Sequence, residues 1–331
     1  MEYRRLGNSD LEVSVVTFGA WAAGGWMWGG TERSEAVKAI QAGFGLGVSS
    51  IDTAPVYGQG LSEEIVGEAI KGMPRDKVQI LTKYGLRWSD TKGSFFFHSQ
   101  DNEGKPLDIY RYSGKAAVKK ECEESLKRLG TDYIDLLQIH WADPTTPVQE
   151  TMEAVSELIQ EGKVRYAGVC NYDLALMKET AKYIDLVSDQ MPYSMLRRDI
   201  EADLVPYLIE NNQSVLAYSP LQRGLLAGKI KPGHLFSNGD TRADQPHYSN
   251  KNIELVNAFL EKLNPLAADK NATLSQLVIR WTIDQPGITI ALVGARNATQ
   301  ATENAKAAQI KLNQEEIGII NTELAQLKLE L

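Results

Sequence analysis

Short apolar runs rich in β-branched residues alternate with longer segments of helical periodicity, and this alternation limits the chain to few folds. Eight runs have the length and composition of buried strands: residues 14–18, 48–51, 78–82, 134–139, 165–169, 186–189, 214–217 and 289–292. Helical patterns occupy residues 35–44, 63–71, 113–129, 148–161, 174–182, 200–211, 274–282, 299–308 and 314–327. Helices of this length between short strands indicate parallel strands joined by helical crossovers. Ser62 and Thr273 are predicted to cap the helices that they precede.

Eight strands in this alternation predict an α/β fold, a (β/α)8 TIM barrel that forms a single domain over residues 1–331. An open, doubly wound sheet is the alternative fold. Its dinucleotide signature, G-x-G-x-x-G at the start of a helix, is missing, because the glycines at 43, 45 and 47 end a helix instead. Two long loops, 84–112 and 219–250, would overhang the catalytic face of the barrel as substrate rim or cofactor lid, and surface decoration is the alternative.

The charge and the cysteine content argue against several classes of protein. The 331 residues include 35 Lys and Arg against 43 Asp and Glu, a net charge of −8, whereas proteins that wrap nucleic acid need a basic face. No apolar stretch approaches the roughly 20 residues of a membrane span, and the N-terminus lacks a signal-peptide core. Two unrelated cysteines and four scattered histidines indicate a metal-free protein of the reducing cytoplasm. We therefore expect neither nucleic acid nor membrane as a partner.

Four polar residues follow predicted strands at the positions where a barrel places its chemistry. Asp52, Lys83 and His140 come directly after the second, third and fourth apolar runs, and Tyr57 lies five residues beyond Asp52. Singly, each has an ordinary structural explanation, such as a capping aspartate, a solvated lysine or a buried structural histidine. On successive strands of one barrel, all four side chains would meet at one mouth. They are therefore the candidate catalytic residues.

Several motifs together resemble the aldo-keto reductase superfamily over almost the whole chain, from Leu6 to about Leu312. They are Phe18-Gly19-Ala20-Trp21, Asp52-Thr53-Ala54-Pro55-Val56-Tyr57-Gly58, Ser62-Glu63-Glu64, Leu126-Lys127-Arg128-Leu129-Gly130-Thr131-Asp132-Tyr133-Ile134-Asp135-Leu136, Gln138-Ile139-His140, Gly168-Val169-Cys170-Asn171-Tyr172, Tyr218-Ser219-Pro220-Leu221, Gly294-Ala295-Arg296-Asn297 and Glu303-Asn304. The chain is most similar to the bacterial general-stress and inositol-operon reductases, and more distantly to channel β subunits.

The resemblance implies an NADPH-dependent enzyme that reduces aldehydes, and also ketones or sugar-derived carbonyls, to alcohols by direct hydride transfer. Its substrate would be a small-molecule carbonyl, and Asp52, Tyr57, Lys83 and His140 would be its catalytic tetrad. A tyrosine hydroxyl with a pKa of about 10 is a reluctant acid, and an ammonium about 4 Å away is expected to lower that pKa by a unit or more. Asp52 would orient Lys83, His140 would hydrogen-bond the carbonyl oxygen, and Tyr57 is the expected proton donor.

The same resemblance, taken position by position, implies a set of residues that bind NADPH or NADP+. At the nicotinamide end they are Ala20, Trp21, Asp52, Cys170, Asn171, Gln190 and Tyr218. Around the pyrophosphate they are Ser219, Pro220, Leu221, Arg223, Gly224, Lys229 and Arg242. At the adenosine end they are Gly294, Arg296, Gln300, Glu303 and Asn304. Without the resemblance, each has another explanation: a turn glycine, a solvated charge, a core aromatic or a local cap.

Three departures from the family pattern bear on cofactor binding. Ala20 and Cys170 stand where many relatives have hydroxyl side chains near the nicotinamide. Gln300 stands where some relatives have an arginine for the 2′-phosphate, so Arg296 is the expected partner of that phosphate. NADPH is therefore expected in preference to NADH.

Five tryptophans, at positions 21, 26, 28, 88 and 141, are expected at an aromatic substrate rim or in the core. An alternative to an enzyme is a nicotinamide-binding regulatory subunit with little turnover, as the channel β subunits illustrate. A barrel hydrolase or aldolase that uses Lys83 as a nucleophile is disfavoured, because Asp52 would keep that amine protonated.

Overall fold

The computed structural model describes residues 1–30, 32–237 and 240–331. In chain order the strands are β1 (Tyr3–Arg5), β2 (Glu12–Ser14), β3 (Val16–Gly19), β4 (Ser50–Asp52), β5 (Gln79–Tyr84), β6 (Leu86–Arg87), β7 (Ser94–Gln100), β8 (Pro106–Arg111), β9 (Ile134–Ile139), β10 (Val164–Cys170), β11 (Leu186–Pro192), β12 (Ser214–Tyr218) and β13 (Ile288–Gly294). The α-helices are α1 (Arg33–Phe44), α2 (Leu61–Ile70), α3 (Lys115–Leu129), α4 (Val148–Gln160), α5 (Leu174–Thr180), α6 (Leu204–Glu210), α7 (Asn250–Asp269), α8 (Leu274–Ile283), α9 (Ala298–Lys306) and α10 (Gln314–Gln326). Within the described residues, no helix combines the length and the apolarity needed to span a bilayer.

Eight strands close into a barrel in the order β3-β4-β5-β9-β10-β11-β12-β13. All of their pairings are parallel, and the last strand pairs with the first, with Ala291 opposite Val16. Helices connect the barrel strands, so the fold is the predicted (β/α)8 TIM barrel and not an open, doubly wound sheet. Each predicted strand corresponds to one barrel strand, and residues 134–139 coincide with β9.

The predicted helices are present with ends shifted by a few residues, and one of the two predicted caps is correct. The Thr273 hydroxyl accepts a hydrogen bond from the Gln276 backbone N–H, and the Gln276 side chain bonds back to Thr273, which forms a capping box at the start of α8. Ser62 is not a cap, because its hydroxyl donates to the Ala20 carbonyl oxygen at 2.8 Å. Gly60, in the left-handed region with φ of 101°, takes the N-cap position of α2.

An N-terminal hairpin of β1 and β2, which the sequence analysis did not predict, covers the amino-terminal end of the barrel. Leu6, Leu11 and Val13 are almost fully buried. They form one cluster with barrel-strand residues such as Leu136 and Leu216. This packing fills the end of the barrel opposite the candidate site.

Helix α7 was also not predicted, although it is 20 residues long and carries apolar side chains at a spacing of three and four. Ile253, Val256, Leu260 and Leu263 are all buried in the main hydrophobic core. The helix packs against α8 and α10. It therefore belongs to the outer helical layer and follows the long loop after β12.

The region predicted as the loop 84–112 contains a small antiparallel sheet in the order β6-β8-β7. Its base is held by Glu121 of α3, whose carboxylate accepts hydrogen bonds from the Gly85 backbone N–H at 2.9 Å and from Arg87 Nη1 at 3.1 Å. Strands β7 and β8 form a hairpin, and its Phe96 and Phe97 line the cavity at the carboxyl ends of the barrel strands. The expected rim is therefore a folded hairpin.

Candidate active site

The structure brings the four predicted catalytic residues together at the carboxyl ends of β4, β5 and β9. Lys83 Nζ donates hydrogen bonds to Asp52 Oδ1 at 2.6 Å, to the Thr53 carbonyl oxygen at 2.9 Å and to the Tyr57 hydroxyl at 3.3 Å. Lys83 is 1% exposed and Asp52 3% exposed. A buried ammonium thus contacts a carboxylate and a phenol at the same time.

Burial, more than the neighbouring ammonium, determines the acidity of Tyr57. Loss of water around the hydroxyl raises the pKa of Tyr57 to about 12, although Lys83 pulls it down. The expectation that Lys83 brings this pKa below 10 is therefore wrong. Burial also disfavours the charged form of Lys83, but Asp52 and Tyr57 outweigh it and raise the pKa of Lys83 above its ordinary value. Both groups keep their protons at neutral pH.

His140 is placed beside Tyr57 and carries no charge. Its ring meets the Tyr57 ring edge-on, with centroids 5.6 Å apart. Burial and the nearby Lys83 ammonium lower the pKa of His140 well below its ordinary value. Its backbone oxygen accepts a hydrogen bond from Asn171 Nδ2 at 3.1 Å, and Asn171 Oδ1 accepts one from the Tyr218 hydroxyl at 2.9 Å. These bonds fix Asn171 next to the histidine.

Gln138 is a residue of this site that the sequence analysis did not single out. The second carboxylate oxygen of Asp52, Oδ2, accepts hydrogen bonds from Gln190 Nε2 at 2.7 Å and from Gln138 Nε2 at 3.3 Å. Strand alternation could have revealed it, since Gln138 of β9 lies two residues before His140, which directly follows the strand, and alternation puts both on one face. Gln138 thus acts on Asp52 as a positioning residue.

A cavity of about 1120 Å³ extends from Tyr57 and His140 over the carboxyl ends of the strands. The predicted cofactor residues that line it are Trp21, Asp52, Asn171, Gln190, Tyr218, Ser219, Pro220, Leu221, Arg223, Gly224, Lys229, Arg242, Gly294, Arg296, Gln300, Glu303 and Asn304. Ala20 and Cys170 were also expected to line the cavity but do not. They are 0% and 1% exposed and lie beneath its surface. Cys170 Sγ faces Gln138 Oε1 at 3.8 Å instead.

Three arginines surround the Trp28 indole, whose ring contacts Trp21 edge-on with centroids 5.5 Å apart. The guanidinium carbons of Arg223, Arg242 and Arg296 lie 5.0, 5.0 and 5.6 Å from a ring centroid of Trp28. Arg242 is paired with Asp240 at 2.6 Å. Burial, and after it the charge of Arg242, lowers the pKa of both Arg223 and Arg296, although Asp240 opposes this. Such a cluster favours an anionic ligand.

The polar atoms and the backbone of this cavity fit a dinucleotide. Arg223 Nε and the indole nitrogens of Trp21 and Trp28 are buried without a hydrogen-bond partner among the described residues, and buried donors normally have one. Ser219 adopts a positive φ of 57° and Arg223 one of 48°, conformations that cost energy and cluster at ligand sites. The neighbouring Gly224 has a φ of 95°, which a glycine adopts without that cost.

Four of the five tryptophans singled out from the sequence line the cavity: Trp21, Trp26, Trp28 and Trp141. Trp26 and Trp141 line it with Phe96 and Phe97, while Trp28 lies among the arginines. Trp88, expected at the rim or in the core, packs on the apolar cluster that contains Tyr57 but does not line the cavity.

A closed parallel barrel with a buried Asp–Lys–Tyr group beside a long cationic cavity defines the class of nicotinamide-dependent barrel oxidoreductases. Residues 15–324 match the profile of the Aldo/keto reductase family. The chain belongs to that family, as the motifs implied, and is an NAD(P)-dependent oxidoreductase.

Relatives that align with the chain over almost their whole length are similar to it in sequence and structure. The chain is 37% identical over 324 residues to the aldo-keto reductase YhdN of Bacillus subtilis, covering 97% of this chain and 93% of that protein. It is 36% identical over 313 residues to the NADH-specific methylglyoxal reductase of Escherichia coli, covering 93% and 94%. The glycerol dehydrogenase of Gluconobacter oxydans superposes on it with a TM-score of 0.87 at 36% identity, covering 98% and 95%.

Proposed function

We propose that this protein is an NADPH-dependent reductase that converts aldehydes to alcohols, with Tyr57 as the proton donor. Ketones and sugar-derived carbonyls belong to the same proposed range. The main support is the placement of Lys83 Nζ, which contacts Asp52 Oδ1 at 2.6 Å and the Tyr57 hydroxyl at 3.3 Å, where Tyr57 lines the cavity. We propose further that residues 1–331 act as one barrel domain.

The cavity offers suitable groups to each part of NADPH. Gln190 uses its amide nitrogen on Asp52, which leaves its amide oxygen for the carboxamide of the nicotinamide. Arg223 and Arg242 would hold the pyrophosphate, and Arg296 the 2′-phosphate. When bound, the cofactor supplies the hydride that reduces the carbonyl carbon.

The proton for the carbonyl oxygen comes from Tyr57. Its pKa of about 12 keeps the hydroxyl protonated across the neutral range. As the carbonyl carbon is reduced, its oxygen gains negative charge, becomes a much stronger base and takes the phenolic proton. The Lys83 ammonium stabilises the phenolate that remains, and Asp52 keeps that ammonium in place. Neutral His140 would hydrogen-bond the same substrate oxygen and orient it.

Replacement of Tyr57 by Phe tests this assignment. Tyr57→Phe removes the hydroxyl and keeps the ring that stacks on Trp21 with centroids 5.9 Å apart. We expect kcat for a panel of aldehydes, followed by NADPH absorbance, to fall by about 100-fold or more. Binding of NADPH, followed by fluorescence, should stay within about twofold, because the chain keeps every proposed contact to the cofactor.

Tyr84→Phe is the matched control, since Tyr84 is a buried tyrosine of β5 that does not line the cavity. It should leave turnover close to that of the wild type. Unchanged turnover in Tyr57→Phe would remove Tyr57 from its role. A wild-type protein that binds NADPH tightly yet reduces no carbonyl would favour a regulatory subunit instead.

A further inference from the structure

A continuous row of aromatic rings lines the cavity and belongs to or packs on the apolar cluster that contains Tyr57. Trp26 stacks on Phe97 with centroids 6.2 Å apart and planes at 21°. Phe97 contacts Phe96 at 5.1 Å, and Phe96 contacts Trp141 at 5.2 Å. We call Trp26, Phe96, Phe97 and Trp141 the aromatic wall. All four line the cavity and pack on the apolar cluster that contains Tyr57.

An irregularity in β7 explains how two adjacent phenylalanines face the same cavity. Neighbouring side chains of a regular strand point to opposite faces. The register between β7 and β8 shifts between Phe95 and Phe97, and a bulge of this kind redirects one side chain. Phe96 and Phe97 therefore both line the cavity, whereas Phe95 is 45% exposed and packs on His98.

The hairpin is hydrogen-bonded to the loop that follows β3, so contacts within the protein hold the aromatic wall in place. Trp26 Nε1 donates to Ser99 Oγ and to the Gln100 carbonyl oxygen, each at 3.1 Å. At the hairpin tip, Asn102 Nδ2 donates to the Gly24 carbonyl oxygen at 2.9 Å. A wall fixed in this way needs little ordering when it binds a ligand.

The chemistry of these surfaces is apolar. Trp21, Leu86 and the aromatic wall line the cavity and belong to or pack on the same apolar cluster as Tyr57, and none of them is charged. The indole N–H of Trp26 already has its acceptors within the hairpin. Hydroxyl groups of a sugar would lose water here and find few replacements. A planar ring would instead stack or pack edge-on, as these rings do with one another.

We propose that the preferred substrate is an aldehyde whose carbonyl is attached to an aromatic or similarly planar apolar group, and that Phe96 and Phe97 select it. This inference rests on the proposed reductase function and narrows its substrate range. Phe96 and Phe97 act on specificity, while Tyr57 and Lys83 carry the proton transfer.

The test compares benzaldehyde with glyceraldehyde, a short hydroxylated aldehyde, in the full-length protein with NADPH. The wild type should have the higher kcat/KM for benzaldehyde. Phe96→Ala and Phe97→Ala should each lower that value by about tenfold, since each removes one ring contact and its apolar area. The value for glyceraldehyde should change by less than about twofold in the same variants.

Phe95→Ala is the matched control, because it removes the same side chain from the opposite face of the same strand. It should leave both substrates unaffected. Thermal unfolding and NADPH titration identify folded variants, and Phe97→Leu, which keeps apolar volume but removes the ring, replaces Phe97→Ala if that variant is unfolded.

Three results would overturn the inference while leaving the reductase function intact. They are a wild type that prefers glyceraldehyde, equal losses for both aldehydes in Phe96→Ala and Phe97→Ala, and a loss in Phe95→Ala as large as theirs. Absence of turnover with every aldehyde would instead contradict the reductase function itself.

Discussion

Asp52 holds different groups with its two carboxylate oxygens. Oδ1 accepts from Lys83 at 2.6 Å, while Oδ2 accepts from the amides of Gln190 at 2.7 Å and Gln138 at 3.3 Å. A buried carboxylate needs several donors of this kind, because it has lost its water. The position of the ammonium next to Tyr57 therefore depends on two neutral amides as well as on charge.

Gln138→Leu tests this dependence without touching substrate or cofactor. One donor to Asp52 is lost, and a hydrogen bond to a charged group contributes about 1.5–3 kcal/mol. If about half of that acts on the transition state, kcat falls about three- to tenfold while KM and the Kd for NADPH stay within about twofold. Steady-state kinetics at saturating NADPH measure kcat and KM separately, and a fluorescence titration measures the Kd for NADPH.

Gln79→Leu is the control for Gln138→Leu. Gln79 is a glutamine of the same barrel at the first position of β5, at the opposite end of that strand from Lys83. It should leave kcat unchanged. Equal changes of kcat in both variants, or a change of KM alone in Gln138→Leu, would show that Gln138 does not position Asp52.

At the scale of single residues, most of the candidate site could be predicted from the sequence, because the carboxyl ends of the strands in a parallel barrel converge on one mouth. Asp52, Lys83 and His140 were identifiable for that reason. The acidity of Tyr57 was not, since it depends on how completely the folded chain excludes water from the hydroxyl. Burial cannot be read from the sequence. The sequence therefore predicts only that Lys83 lowers the pKa of Tyr57, and not that burial raises this pKa by more.

At the scale of elements, periodic segments were predictable and short or interrupted ones were not. Strand β9 matched because six apolar-rich residues are flanked by polar ones. The sequence predicts a loop in place of the hairpin β7–β8, because the strand β7 carries exposed and half-buried residues in irregular order. Helix α7 was missed although its periodicity was present, and Pro265 lies within it, a residue that usually ends a helix.

Glu121, which accepts hydrogen bonds at the base of this hairpin, should make the free energy of unfolding depend on pH. Burial raises the pKa of Glu121 to about 7, despite the Gly85 N–H and the Arg87 guanidinium. The native state thus binds the proton more tightly than the unfolded chain. Stability due to Glu121 is fully present below about pH 4.5 and is lost as the pH rises through 7. The loss is on the order of 3 kcal/mol.

Urea unfolding of the wild type and Glu121→Gln at pH 5 and pH 8 measures this effect. The wild type should lose stability relative to the variant between the two pH values, because the glutamine does not titrate. Glu153→Gln, which changes an exposed glutamate on α4, should track the wild type. A gap between wild type and Glu121→Gln that is the same at both pH values would contradict the assignment.

At the scale of the whole molecule, an acidic protein carries a local cationic cavity. The net charge is −8, yet Arg223, Arg242 and Arg296 lie together around Trp28. Screening confines the field of distant carboxylates to about 8–10 Å at physiological salt, so the cluster acts on a ligand largely by itself. The lining residues come from loops far apart in sequence, and a cofactor bound there would connect them and stabilise the native state.

Arg296→Gln tests whether that ligand carries a 2′-phosphate. Loss of a guanidinium that binds a phosphate should raise the Kd for NADPH by about tenfold or more, whereas the Kd for NADH should change by less than about threefold. At a fixed excess of cofactor, tenfold weaker binding removes about 1.4 kcal/mol of ligand stabilisation, so the thermal shift by NADPH should shrink and that by NADH should persist.

Lys311→Gln makes the same charge change at a 78% exposed side chain and should behave as the wild type. Equal weakening of both cofactors by Arg296→Gln would show that Arg296 binds a group that the two share, and the proposed preference for NADPH would lose its physical basis.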